Sequence, residues 1–165
     1  MIAIRIATLL ASLGLLPSPV LGHFVLQIPA SLGYDDTNEA MAPCDTFDPT
    51  TRNPVTNWPV GGSAISVITT HTSVLWDYNA ALVSNTSNWI RLTATALNQT
   101  GVGFFCEPQI PGITAWIGQP VVLQVVQHAP DGLLYQCAAI QFVAGGPAAT
   151  PSGCTNSSGL TAHWT

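Results

Sequence analysis

The sequence predicts an all-β protein, a β-sandwich with long loops and two disulfides. Three observations point there. Short apolar or alternating runs are separated by Gly, Pro, Asn and Asp. No long stretch repeats with a helical period. Four cysteines stand behind an apolar leader, an even number that implies two bridges in an oxidising compartment.

The leader comes first. Arg5 gives a weakly positive start, Ile6 to Leu16 is apolar, and Pro17 and Pro19 end the run. A bilayer span needs roughly 20 apolar residues, so this segment is too short and too broken to be one. Val20 and Gly22 occupy the −3 and −1 positions of a signal-peptidase site. The expected organisation is a signal peptide over residues 1–22, a domain over 23–154 and a disordered tail over 155–165. Cleavage leaves 143 residues (165 less 22), enough for one core.

Along the mature chain, Phe24 to Ile28 reads as a strand ended by Pro29. Residues 30–62 lack a sustained period and read as a long loop tied down by Cys44; such loops in small domains usually serve function. Ala64 to Thr70 is β-branched and reads as a strand, as does the alternating run Trp89 to Ala94. Residues 77–83 fit a helical turn or a strand. Phe104 to Cys106 is a short run closed by Pro108. Pro120 to Gln127 and Leu133 to Val143 are strong strands, and Ala129-Pro130-Asp131-Gly132 between them predicts a hairpin. The tail from Gly145 is rich in Gly, Pro, Ser and Thr, so poor order is expected beyond Cys154. It ends without an apolar segment, and no glycolipid-anchor signal is expected of the chain as given.

Composition excludes some functions. There is no lysine, and after cleavage Arg52 and Arg91 face eight carboxylates, a formal charge of −6. Nucleic acid and anionic membrane both select clustered Lys or Arg, so neither is an expected partner. With 7% charged residues, solubility rests on Ser, Thr, Asn and Gln and on glycans at the sequons of Asn85, Asn98 and Asn156. Cys44, Cys106, Cys137 and Cys154 allow three pairings, which sequence does not choose among. The favoured one here is Cys106 with Cys137 and Cys44 with Cys154. Zinc is the weaker reading, since no CxxC spacing occurs. No GxSxG and no phosphate loop is present, and no carboxylate pair stands out.

The informative residue is His23. As the first residue it bears an α-amine and an imidazole together. The amine has a pKa of roughly 7.7–8.0, so a metal displaces its proton near neutral pH. Amine and Nδ1 form a chelate, and a second imidazole completes a histidine brace. Copper(II) favours tetragonal nitrogen and oxygen ligation and is the expected occupant. Chance alone would seldom put so uncommon a residue at this position. His71, at the end of the strand Ala64 to Thr70, is the best second ligand against the alternative of a core-edge histidine. His128 beside the turn is expected in solvent, and His163 in the tail is expected to be unfixed. Trp58, Trp76, Trp89, Trp116 and Trp164 could stack on sugar, but packing is the simpler reading, preferred for Trp76 and Trp89.

Several further motifs carry a resemblance. They are His23-Phe24, Ile28-Pro29 with Leu32-Gly33-Tyr34-Asp35, Pro43-Cys44, His71 after a strand, Gly103-Phe104-Phe105-Cys106-Glu107-Pro108, and Asp131-Gly132-Leu133-Leu134-Tyr135-Gln136-Cys137-Ala138. In this order and spacing the chain resembles the fungal copper acquisition factors, relatives of lytic polysaccharide monooxygenases. The resemblance covers most of the mature domain. It implies an immunoglobulin-like β-sandwich, an extracellular location and copper held by His23 and His71. It implies copper handling at the fungal cell surface and no enzymatic activity, by a monomer whose partners are copper and either cell-wall components or copper transporters. In that family an aspartate following Tyr-x-Cys-Ala supplies a carboxylate to copper; here that position is Ala139. Asp131, Asp77, Glu107 or water are the candidates to replace it. Two other functions stand beside this one: an oxidative polysaccharide monooxygenase, and a wall glycoprotein without metal.

Overall fold

A computed structural model describes residues 22–165, so the expected leader lies outside the described residues except for Gly22. The chain forms β1 (Phe24–Ile28), β2 (Thr56–Pro59), β3 (Ser63–Thr69), β4 (Ser73–Leu82), β5 (Ile90–Arg91), β6 (Leu97–Thr100), β7 (Gly103–Ile110), β8 (Pro120–Ala129), β9 (Gly132–Val143) and β10 (Thr161–Trp164). Two sheets result. The smaller runs β1-β3-β7, and the larger runs β10-β6-β4-β8-β9-β2 with β5 paired to β4. This is the expected all-β sandwich.

The core lies between the sheets because their strands alternate. On β4, Val74, Trp76, Tyr78 and Ala80 are buried, while Ser73 and Leu75 face out. They meet Phe24 and Leu26 of β1, Ile65 and Val67 of β3 and Phe105 of β7. Trp76 takes Phe24 edge-on and stacks with Phe105. Such pairs contribute about 0.5–1.5 kcal/mol beyond area burial. They tie β1 to the larger sheet, with which it forms no strand pair.

The β8–β9 hairpin pairs from Pro120↔Gln141 to Ala129↔Gly132, leaving Pro130 and Asp131 as its turn. Pro130 presets the turn, and Gly132 takes a φ of 144° that a side chain would resist. β8 is buried from Val121 to Gln127, on both faces, because the long loop covers its outer side. Cys44 and Leu32 of that loop pack on Ala81, Val122 and Cys137. Arg52 pins the loop's far end by donating to the carbonyls of Val121 and Ile140.

Three expectations are corrected, and one open alternative is decided. The bridges are Cys44–Cys137 and Cys106–Cys154, not Cys106–Cys137 and Cys44–Cys154. Cys137 points to the outer face of the larger sheet, where the loop lies, whereas Cys106 lies in the smaller sheet. The strand expected over Trp89 to Ala94 shrinks to Ile90–Arg91. The edge of β4 is shared, β6 taking Ser73–Trp76 and β5 Asn79 and Ala80, with Leu92 N donating to the Tyr78 carbonyl where the pairing ends. Residues 77–83 are strand, within β4, up to Leu82. The tail is ordered in part: Ser157 N donates to the Phe104 carbonyl, Asn156 accepts from Cys106 N, and Thr161–Trp164 pairs with β6. All four residues of β10 are exposed, so composition carries no sign of it.

Peptide mapping of the non-reduced protein is expected to find Cys44–Cys137 and Cys106–Cys154 and no free thiol. A Cys106–Cys137 peptide would contradict the topology. Removing Cys106–Cys154 by a double Ala substitution is expected to cost about 2–4 kcal/mol in urea unfolding.

Candidate metal centre

Three segments converge at one end of the sandwich: the start of β1, the β3–β4 turn and the β8–β9 turn. His23 is held on both sides. Its N donates to Thr70 Oγ1 at 2.8 Å, and its carbonyl accepts from Thr70 N at 3.0 Å. Its ring Nε2 lies 2.7 Å from the Asp36 carbonyl. A carbonyl only accepts, so Nε2 carries the hydrogen and Nδ1 is left with a bare lone pair. That is the tautomer an amine–Nδ1 chelate needs.

His71 is buried and bonded at both ring nitrogens. Nδ1 lies 2.7 Å from Gln127 Oε1, and Gln127 Nε2 lies 2.8 Å from Thr69 Oγ1. Nε2 faces Asp131 Oδ1 at 2.7 Å, and a carboxylate only accepts, so this nitrogen carries a hydrogen. A metal ion bound by Nε2 would displace that hydrogen. Burial raises the Asp131 carboxyl, but hydrogen bonds from Gly22 N and His71 outweigh it and hold it below the ordinary range.

Gly22 ties the two histidines together. A Cβ built on it would lie 2.6 Å from His71 Nε2, and its N donates to Asp131 Oδ2 at 3.2 Å. From the Gly22 Cα that would carry this Cβ, the next atom but one along the chain is His23 N. Bond lengths therefore keep His23 N within about 6 Å of His71 Nε2. While residue 22 is attached, its backbone fills the space in front of His71. Among the described residues no three His, Cys, Asp or Glu side chains form a metal cluster. The candidate set instead combines the His71 and Asp131 side chains with the main-chain nitrogen and ring of His23.

Of the proposed replacements for the missing aspartate, only Asp131 is here. Asp77 is paired to Arg91 and His128 on the outer face of β4. Glu107 lies on β7 opposite Ile65. Ala139 is buried opposite Val122, eight residues along an extended strand from Asp131 or about 26 Å, so it does not face the site. His128, expected in solvent, is partly exposed and bonded to Asp77 at 2.9 Å. His163 stands on β10, far from His71 in strand order. The tryptophans form no sugar-stacking face: Trp58 and Trp76 are in the core, Trp89 and Trp116 pack against it, and Trp164 lies edge-on to Tyr78. Asn85 and Asn156 are exposed, and Asn98 is half-buried in β6.

Thr70, Asp36, Gln127, Gln136 and Glu39 act here without a motif that marks them. The available signal was glutamine at buried positions of valine-rich strands, where a polar side chain must find a partner. Glu39 is 1% exposed. It accepts from Phe24 N at 3.3 Å and Gln136 Nε2 at 2.9 Å. Burial dominates and pushes its carboxyl up to about 7, against the lowering effect of those two bonds.

A family model described as copper acquisition factor BIM1-like matches residues 21–159. A lytic polysaccharide monooxygenase-like protein X325 of Yarrowia lipolytica is 27% identical over 173 aligned positions, covering 98% of this chain and 61% of that protein. An uncharacterized protein of Aspergillus fumigatus is 28% identical over 151, covering 87% and 62%. The chain thus spans about three fifths of the length of these relatives.

Glu39 gives the metal-free protein a defined pH dependence. Its folded pKa of about 7 exceeds the ordinary 4.5 of a glutamate, so between these values the folded chain holds a proton that the unfolded chain has lost. Stability therefore falls as pH rises through that window, by about 3 kcal/mol in all. Asp131, held low, acts in the opposite sense and below this range. Urea unfolding from pH 4.5 to 8 is expected to show the fall in wild type and a flatter profile in Glu39→Gln. Parallel profiles would contradict it.

Proposed function

Because the chain belongs to the BIM1-like copper acquisition factor family, we propose that it is a secreted or cell-surface copper(II)-binding protein that handles copper as cargo. After cleavage at Gly22, the α-amine and Nδ1 of His23 and Nε2 of His71 would hold the ion, with Asp131 supplying the carboxylate. The observation that supports this most is the convergence of the His23 nitrogen, His71 Nε2 and the Asp131 carboxylate around Gly22. Asp36 and Gln127 each occupy the non-ligating nitrogen of one histidine, which orients the other.

The donor set suits the ion. Three nitrogens and one carboxylate oxygen match the tetragonal preference of copper(II). The Asp131 charge offsets that of the ion in a partly dry site. Thr70 keeps the amine in place, and binding releases the amine's proton, so uptake weakens as pH falls. Acquisition needs holding and release, with cell-wall components or copper transporters as the partners. Oxidative polysaccharide cleavage is the second reading, favoured by the name of the Yarrowia relative; products from chitin, cellulose or xylan with a reductant would establish it.

Competition titration on protein beginning at His23 tests the ligands. His71→Ala is expected to lose on the order of 100-fold or more in copper(II) affinity, and Asp131→Asn about tenfold. Ala139→Asp is expected to leave copper binding unchanged. Wild-type affinity in His71→Ala would refute the brace; a tightened Ala139→Asp would refute the placement of Asp131.

A further inference from the structure

β1 is the edge of the smaller sheet, with β3 on one side only. The main-chain groups on its other side are buried and need partners. None is supplied by a strand. Gln136 of β9 receives Leu26 N on Oε1 at 3.0 Å and donates from Nε2 to the Phe24 carbonyl. Glu39 receives Phe24 N and the same Gln136 amide. The Glu39 carbonyl in turn accepts from Tyr135 N at 2.8 Å, which locks the loop to β9. The Cys44–Cys137 bridge and the bond from Leu32 N to the Cys137 carbonyl hold that loop from the other end.

The Phe24 amide is one peptide unit from the His23 α-carbon. Its hydrogen bond to Glu39 sets how far the first residue leans towards Thr70 and His71. The same loop delivers the Asp36 carbonyl to the His23 ring. Ring and backbone of the terminal residue are thus positioned by one short segment, residues 36–39, stapled to β9. Neither Glu39 nor Gln136 contacts a proposed ligand atom.

Resting on the brace reading above, we propose that Glu39, with Gln136, is a positioning residue for the metal site: it fixes the His23 amine through the Phe24 amide. A chain end has few restraints of its own, and outer-shell partners of metal ligands typically change affinity 10- to 100-fold. The oxygen acceptor is the part that acts; the negative charge is not.

The test uses protein beginning at His23, loaded with copper(II), and compares wild type with Glu39→Gln, Glu39→Asp and Glu39→Ala. Three readouts are taken: competition affinity, paramagnetic resonance and hydrogen exchange at the Phe24 amide. Glu39→Gln keeps an acceptor and is expected to stay within about threefold of wild type, with the same spectrum. Glu39→Ala is expected to lose about tenfold, broaden the spectrum and deprotect Phe24. Glu39→Asp falls short of Phe24 and is expected to behave in the same direction, and it carries the comparison if the Ala variant does not fold. Wild-type affinity and spectrum in a folded Asp or Ala variant would overturn the proposal and leave the brace standing. A Gln variant as weak as Ala would also overturn it, by assigning the effect to charge. Failure of wild type to bind copper would overturn both.

Discussion

The first strand has a neighbour on one side only, and the residue at its start is the one on which the site depends. Everything around β1 answers that constraint. Its free edge is buried, so side chains must satisfy what a strand would have satisfied. Gln136 and Glu39 do so at Phe24 and Leu26. On the paired side, Thr70 extends the β1–β3 ladder to His23. The long loop exists in an ordered form because Cys44 and Leu32 fasten it to β9, and it brings Glu39 and Asp36 to the chain's start. Removing a buried partner here would leave an unpaired group at a cost of about 1–3 kcal/mol, so the clamp and the fold are not separable.

A second polar chain, Thr69–Gln127–His71–Asp131, crosses from β3 through β8 to the hairpin turn. Its function is directional. The Thr69 hydroxyl also accepts from His71 N. The result is an imidazole whose Nε2 is aimed at a carboxylate beside Gly22. The His23 ring is oriented by a different acceptor, the Asp36 carbonyl. Two independent networks orient two imidazoles at one end of the sandwich. This agreement, more than the presence of two histidines, supports a cation site.

Much of this was legible in the chain. The valine-rich runs and the Pro-Asp-Gly turn mark the β8–β9 hairpin, because burial on both faces and turn chemistry are local properties. His23 stood out through the residues before it, and His71 through its place after a β-branched run. What stayed hidden depends on distant partners. β2, β6 and β10 are four residues each, mostly polar, and become strands only because an edge of the larger sheet accepts them. Disulfide pairing turned on which face of β9 Cys137 occupies. The motif match aligns Ala139 with a ligand position of the resembled family, but the rise of an extended strand carries it away from the turn. Glu39 lay in an acidic loop with nothing to mark its burial.

The central claim is that the α-amine of His23 is a metal ligand. The chain offers a clean way to test it, because it has no lysine: acetylation of the mature protein reaches the terminal amine and no other amine. The decisive measurement is paramagnetic resonance of copper(II)-loaded protein beginning at His23, before and after that acetylation. One tightly held copper with three nitrogen couplings is expected beforehand, with affinity lost by on the order of 100-fold and one coupling missing afterwards. An unchanged spectrum and affinity after acetylation would contradict the account.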